Sequence, residues 1–203
     1  QGEEAARYGE VYDGRGKLLC PAFYNAHAHA PMTLLRGYAE NLPLQAWLND
    51  MVFPFEAKIT PEDCYWGTLL SCAEMARYGC VSFSDMYYHM EEGARAALDA
   101  GIKMNLSDSL LAFNGEGLDD LPVKGNLDRL IRDVQGAGDG RIVVDCNIHA
   151  EYTSNPRAVA DLAAYAKEHG LRLQVHVSET RLEHEECKQR HDGLTPVRYF
   201  ESL

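Results

Sequence analysis

The chain has 203 residues, 46% of them hydrophobic and 25% charged, with 31 acidic against 19 basic side chains and a net charge of -12. That length buries a sizeable core as one soluble domain, and the acidic balance argues against nucleic acid or an anionic membrane, leaving a small polar or cationic molecule as partner. No apolar run approaches the ~18 residues of a membrane span, no secretory leader is recognisable, and the six cysteines form no Cys-x-x-Cys pair, so a cytoplasmic protein with reduced thiols is expected.

Residues 1–17 are polar and are expected to be the remnant of a flanking segment or small β domain, with Gly9-Glu-Val-Tyr-Asp-Gly-Arg-Gly16 as a short hairpin. Residues 18–203 carry the organised part. The stretch Leu19 to Gly37 is read as a strand closed by His27 and His29, two side chains that face the same way on an extended chain. Pro43 to Phe55 has its apolar residues at helical spacing and Pro54 at its expected end. Thr60-Pro-Glu-Asp63 then caps a helix that Gly79 stops.

From there strands and helices alternate: strand Cys80 to Tyr87, helix Met90 to Ala100, strand Ile102 to Leu111, helix Leu127 to Val134 and strand Arg141 to His149. A helix opened by Asn155-Pro156, a strand Leu171 to Val177, a helix Arg181 to Lys188 and a helix begun by Thr195-Pro196 complete the series. Near-continuous apolar strands, each followed by a helix, are the signature of a parallel sheet covered on both faces. Five βα units fit either a doubly wound five-stranded sheet or the first five-eighths of a (β/α)8 barrel.

In both architectures functional groups gather at the C-terminal ends of the strands. His27, His29, Asp85, His149 and His176 fall there, with Glu179 three residues beyond His176. Three neutral imidazoles around one divalent ion, with a position left for water, is the layout of a catalytic zinc site, and a nearby carboxylate can shuttle protons. Each residue also has a plainer reading. His149 taken alone reads first as a hydrogen-bonded histidine at a strand end and Asp85 first as a structural cap, and Trp47 and Phe53 are either core packing or a binding wall. His89, His169, His184 and His191 sit in helical or charged surroundings, His184 within Glu183-His-Glu-Glu186, and these histidines are expected to be solvated.

The run His27-Ala-His-Ala-Pro-Met-Thr-Leu-Leu-Arg-Gly37 with Trp47, then Phe53-Pro-Phe-Glu56, His149 and His176-Val-Ser-Glu179, resembles the amidohydrolase superfamily. Its nearest branch looks like the 5'-methylthioadenosine/S-adenosylhomocysteine deaminases and chlorohydrolase-like enzymes. The resemblance implies an α/β fold, a partial TIM-type barrel of about five βα units, and one divalent metal, zinc first, with iron, nickel or manganese as alternatives. It makes His27, His29 and His176 metal ligands, Glu179 the proton-transferring residue, and Trp47, Glu56 and His149 substrate-binding residues.

The implied reaction is hydrolytic deamination of an aminated purine nucleoside or a related ring. The family also uses a sixth-strand histidine and an eighth-strand aspartate, so the chain is expected to be an incomplete barrel, poorly active alone and prone to self-association through its exposed fifth-strand edge. The third strand, Ile102-Lys-Met-Asn-Leu-Ser-Asp-Ser-Leu-Leu111, lacks the arginine that relatives accepting a homocysteine carboxylate tend to carry, which favours methylthioadenosine, adenosine or another aminated ring. Two other readings stay open: hydrolysis of an amide or carbon–halogen bond, and a non-catalytic metal-binding or interaction module.

Overall fold

The computed structural model describes residues 6–203; the expectation for residues 1–5 lies outside them. Gly9 to Gly16 form no strand. The Lys17 N–H closes a turn on the Gly14 carbonyl at 3.0 Å, Asp13 pairs with Arg15 at 2.6 Å, and residues 7 to 22 are all exposed. A hairpin of this length needs a surface to lie on, and none is offered.

Six parallel strands follow: β1 (Phe23–Ala28), β2 (Cys80–Tyr87), β3 (Lys103–Leu110), β4 (Ile142–Val144), β5 (Cys146–Ile148) and β6 (Leu173–Val175). The sheet runs β1-β2-β3-β5-β6, with β4 also on β3. The expected strand Arg141 to His149 is thus broken at Asp145, whose N–H still reaches the Leu106 carbonyl at 2.8 Å. Its buried carboxylate turns aside to take Arg172 Nε at 3.0 Å and Gln174 Nε2 at 3.1 Å, tying β4–β5 to the strand beside it.

The connecting helices are α1 (44–56), α2 (Pro61–Arg77), α3 (Met90–Ala100), α4 (Pro122–Asp133), α5 (Pro156–His169), α6 (Arg181–Arg190) and α7 (Pro196–Glu201). Their caps explain their limits. Thr60 and Asp63 form a reciprocal capping box on α2, Asn155 accepts the Ala158 N–H at the start of α5, and Gly170 ends α5 in the left-handed conformation. Helix α4 begins five residues before the expected Leu127, because Pro122 suits the first turn and Val123 already packs inward.

The core lies in two clusters. One joins α2 and α3 to β2–β4 around Phe83, Met90, Met104 and Ile142; the other joins α4 and α5 to β3 and β5 around Leu110, Leu127, Ile148 and Leu162. None of the six cysteines is disulfide-bonded, and Cys64, Cys72, Cys146 and Cys187 are buried. Among the described residues no helix is long and apolar enough to cross a membrane.

One close approach anchors the segment after β1. Here α2 lies against a 3-10 turn, Ala30–Leu35, with the Thr33 hydroxyl donating to the Gly67 carbonyl at 2.7 Å. A Cβ on Gly67 would stand 2.5 Å from the Pro31 carbonyl oxygen. Gly67→Ala is therefore expected to cost about 1–3 kcal/mol by overpacking, read as a Tm several degrees lower in a thermal melt. An unchanged Tm would show that the turn yields freely.

Candidate active site

His27 lies in β1 and His29 one residue past its end, where regular pairing with β2 is interrupted between Asn25 and Ala28. Strand alternation alone therefore does not align the two rings; an irregularity and the following turn do, as is common beside functional sites. His176 follows β6, at the far edge of the sheet path. The sheet curls enough to bring these ends together. The three Nε2 atoms stand 3.3 Å (His27–His29), 3.2 Å (His27–His176) and 3.3 Å (His29–His176) apart.

Two of the rings are oriented from behind. His29 Nδ1 donates to the Met86 carbonyl and His176 Nδ1 to the His149 carbonyl, both at 2.8 Å. A carbonyl only accepts, so the proton sits on Nδ1 and the Nε2 lone pair faces its neighbours. Lone pairs at this spacing repel unless a cation lies between them. Tetrahedral zinc–nitrogen bonds of 2.0–2.1 Å would place ligand nitrogens about 3.3–3.4 Å apart, so donor set and spacing fit a divalent ion. Burial pushes His29 down to about 4, against the help of the Met86 carbonyl, and lowers His27 as well, which favours the neutral form of these two rings.

Asp85, at the end of β2, holds the neighbouring backbone. It is fully buried, accepts the Ala30 N–H at 3.1 Å, and is raised to about 7 by that burial. This is its structural reading.

A cleft of about 120 Å³ opens beside the imidazoles, and Trp47, Phe53, Glu56, His149 and Glu179 all line it. The first three come from α1, which does not stop at Pro54 as its sequence suggests. The segment Trp47–Val52 is a π-helical turn, and the Phe53 N–H reaches back to the Leu48 carbonyl. Pro54, with no N–H to place, sits in the first turn of Phe53–Glu56. The widened turn brings Trp47 and Phe53 onto one wall. Burial raises the Glu56 carboxyl and pushes His149 down to about 4, helped by His176 and His29. His149 Nδ1 lies 3.0 Å from the Thr153 hydroxyl, which fixes the ring.

Glu179 sits on a loop held by Glu183, a residue given no role in the sequence. Glu183 is 2% exposed, and its carboxylate accepts the N–H groups of Ser178 at 3.1 Å, Glu179 at 2.6 Å and Thr180 at 3.3 Å. Ser178 takes a positive φ of 54° within this grip, and its hydroxyl meets His184 Nδ1 at 3.0 Å. The available signal was Thr180-Arg-Leu-Glu183, a capping-box pattern.

His191 is not solvated either. It stacks on Tyr199 with ring centroids 3.8 Å apart and reaches Glu151 at 2.7 Å. Glu151, Cys187 and His191 lie close enough to hold an ion, but Arg190 already takes both Glu151 oxygens at 3.1 and 2.6 Å, and burial raises the Cys187 thiol. A guanidinium there excludes a second cation, so this cluster is a lock between α6 and the segment after β5. His89 and His169 are exposed, as expected.

The amidohydrolase family model matches residues 18–202. The 5-methylthioadenosine/S-adenosylhomocysteine deaminase of Syntrophomonas wolfei is 40% identical over 196 residues, covering 97% of this chain and 44% of that protein. A 5'-deoxyadenosine deaminase of Methanothermobacter thermautotrophicus is 39% identical, covering 95% and 45%. Among solved structures, a zinc-bound adenosine deaminase from Xanthomonas campestris superposes with a TM-score of 0.79 at 28% identity, over 90% of this chain and 41% of that one. A zinc complex of atrazine chlorohydrolase from Arthrobacter aurescens, at 19% identity and TM-score 0.77, shares the fold. The chain spans less than half the length of these relatives, as a partial barrel of the same α/β kind.

Two outcomes follow from the carboxylate clamps. Glu183→Ala leaves three N–H groups without their acceptor and is expected to cost about 2 kcal/mol, with faster hydrogen exchange at Ser178, Glu179 and Thr180; unchanged exchange there would contradict the clamp. Burial alone would raise the Glu151 carboxyl, yet Arg190 and His191 hold it below the ordinary value. Its contribution is then present above the unfolded glutamate pKa and lost as pH falls through the folded one. The stability gap between the unaltered protein and Glu151→Gln, measured by urea unfolding, should shrink as pH falls from about 5 to 3; a gap that widens would reverse the sign.

Proposed function

The chain belongs to the amidohydrolase family, and on that footing we propose that the protein hydrolytically removes the ring amino group of an adenosine-like nucleoside, using a divalent ion held by His27, His29 and His176, zinc first. The observation that carries the reading is the triangle of Nε2 atoms, 3.2–3.3 Å on a side, opening onto the cleft that Glu179, His149, Glu56 and Trp47 line. The names of the 38–40% identical relatives, adenosine-type deaminases throughout, support it.

When bound, the ion lowers the pKa of a water from 15.7 to about 7, making a nucleophile available near neutral pH. The chain's own residues do the rest. Glu179 accepts a proton from the attacking water and gives it to the ring nitrogen beside the carbon under attack, then takes the second proton from the newly added hydroxyl and passes it to the departing amine. Water is consumed, and the ring carbon exchanges an amino group for an oxygen as ammonia leaves. His149, held neutral by burial and oriented by Thr153, offers a hydrogen bond to the ring. Glu56 has two carboxylate oxygens for a vicinal ribose diol, and Trp47 supplies a flat apolar wall.

The test is the ultraviolet change from aminopurine to oxopurine in the longest natural form of the protein, loaded with zinc. Adenosine-like nucleosides should be converted, with Glu179→Gln lowering kcat by about 10²-fold or more while zinc content is retained. His29→Ala should lose the zinc. A zinc-loaded protein that leaves every aminopurine nucleoside unchanged would overturn the proposal.

A further inference from the structure

A second cavity, of about 530 Å³, adjoins the first and shares Phe53, Glu56 and Tyr88 with it. The proposed ribose-binding carboxylate therefore stands on the partition between a narrow chamber at the imidazoles and a roomier one pointing away from them. Whatever a nucleoside carries on the far side of its sugar has this second chamber to enter.

The floor of the chamber carries an unusual group for such a position. Asp108 lies near the C-terminal end of β3, paired with Tyr87 of β2 in the sheet register, and is 5% exposed. It lines the second cavity but not the first. The Asn126 side-chain amide donates to Asp108 Oδ2 and so fixes the carboxylate. Arg129 is the cation closest to this pair in the hydrogen-bond network. It reaches the pair through Asn126, with Nη2 on Asn126 Oδ1 at 2.6 Å, shares its Nε with Glu91 at 3.3 Å, and does not line the cavity. Among the described residues the one basic side chain lining the chamber is His89, with no lysine or arginine there, whereas two carboxylates, Glu56 and Asp108, line it. Phe113, 63% exposed, forms part of the outer wall. The chamber thus combines aromatic sides with a net negative floor, a combination that suits a cation on a short apolar stem.

We propose that this chamber receives the substituent on the sugar of the substrate, and that Asp108 makes it select a nucleoside whose substituent ends in a positively charged amine over one that ends in a carboxylate. The proposal rests on the aminopurine nucleoside reading and deepens it: without a lysine or arginine in the lining a carboxylate has no permanent cation to meet, and the buried carboxylate of Asp108 repels it. Burial raises the Asp108 carboxyl to about 6, so it remains ionised above neutral pH.

The experiment is calorimetric binding at pH 8 to the zinc-loaded Glu179→Gln protein, in which ligand is not consumed. The ligands are adenosine and its analogues bearing a 5'-amino, a 5'-methylthio or a 5'-carboxylate group. The amino analogue should bind at least about tenfold more tightly than the carboxylate analogue, and Asp108→Asn, which keeps the size and a hydrogen-bonding group, should bring the ratio close to one. The ligand series on the Asp108-containing protein stands without the second variant, should that variant fold poorly. If adenosine binds but the amino and carboxylate analogues bind alike, the charge selection is overturned and the nucleoside reading survives. If none of the four binds, the nucleoside reading fails and the selection falls with it.

Discussion

Two backbone carbonyls, those of Met86 and His149, do more for this molecule than any single side chain. Each accepts the Nδ1 proton of an imidazole at 2.8 Å and so turns an Nε2 lone pair toward the same small volume. Neither carbonyl can do this unless the sheet is curled. Met86 lies in β2, beside the β1 end that bears His29, while His149 follows β5, beside the β6 end that bears His176. Parallel strands with aligned C-terminal ends, joined by covering helices, are what bring first and last together. The packing of Phe83, Met90 and Met104 on one side and Leu127, Ile148 and Leu162 on the other is thus the support of the imidazole triangle.

Around that centre, buried carboxylates act as clamps on backbone. Asp85 holds the Ala30 N–H next to His29, Asp145 ties the break between β4 and β5 to Arg172 and Gln174, and Glu183 gathers three N–H groups of the loop that carries Glu179. Taking a carboxylate out of water is costly; Asp145 and Glu183 offset the cost with hydrogen bonds from a cation or from backbone N–H groups, while Asp85 keeps one buried oxygen without a partner and is raised to about 7. The result is a site whose reactive residues stand on short loops that buried carboxylates tie down. Glu179 itself remains exposed on that fixed loop, as a group that must exchange protons has to be.

Much of this was legible in the residues. Thr60-Pro-Glu-Asp63 and Asn155-Pro156 marked helix starts, Cys80 to Tyr87 and Met90 to Ala100 were read to the residue, and the alternation gave the parallel sheet. What escaped were features decided by partners distant in sequence. Pro54 reads locally as a stop, and only the π-helical turn before it shows how the chain passes through. The strand after Arg141 reads as continuous because Asp145 looks like any polar interruption until Arg172 is beside it. Glu183 was passed over within Glu183-His-Glu-Glu186 because a charge run hides its inward-facing member, and only the Thr180 to Glu183 spacing singles it out. The hairpin over Gly9 to Gly16 failed for the opposite reason: its pattern was local and, among the described residues, nothing packs against it. The candidate site residues are all near one another, with the imidazole triangle the tightest group, but their roles rest on chemistry that a fold alone does not assign.

The central claim is that the three imidazoles are one metal centre. Anomalous diffraction at the zinc edge, on crystals of the protein grown with zinc, addresses it directly. The account predicts a single strong peak about 2.0–2.1 Å from the Nε2 atoms of His27, His29 and His176 together. No peak there, or the principal peak at Glu151, Cys187 and His191 instead, would contradict it.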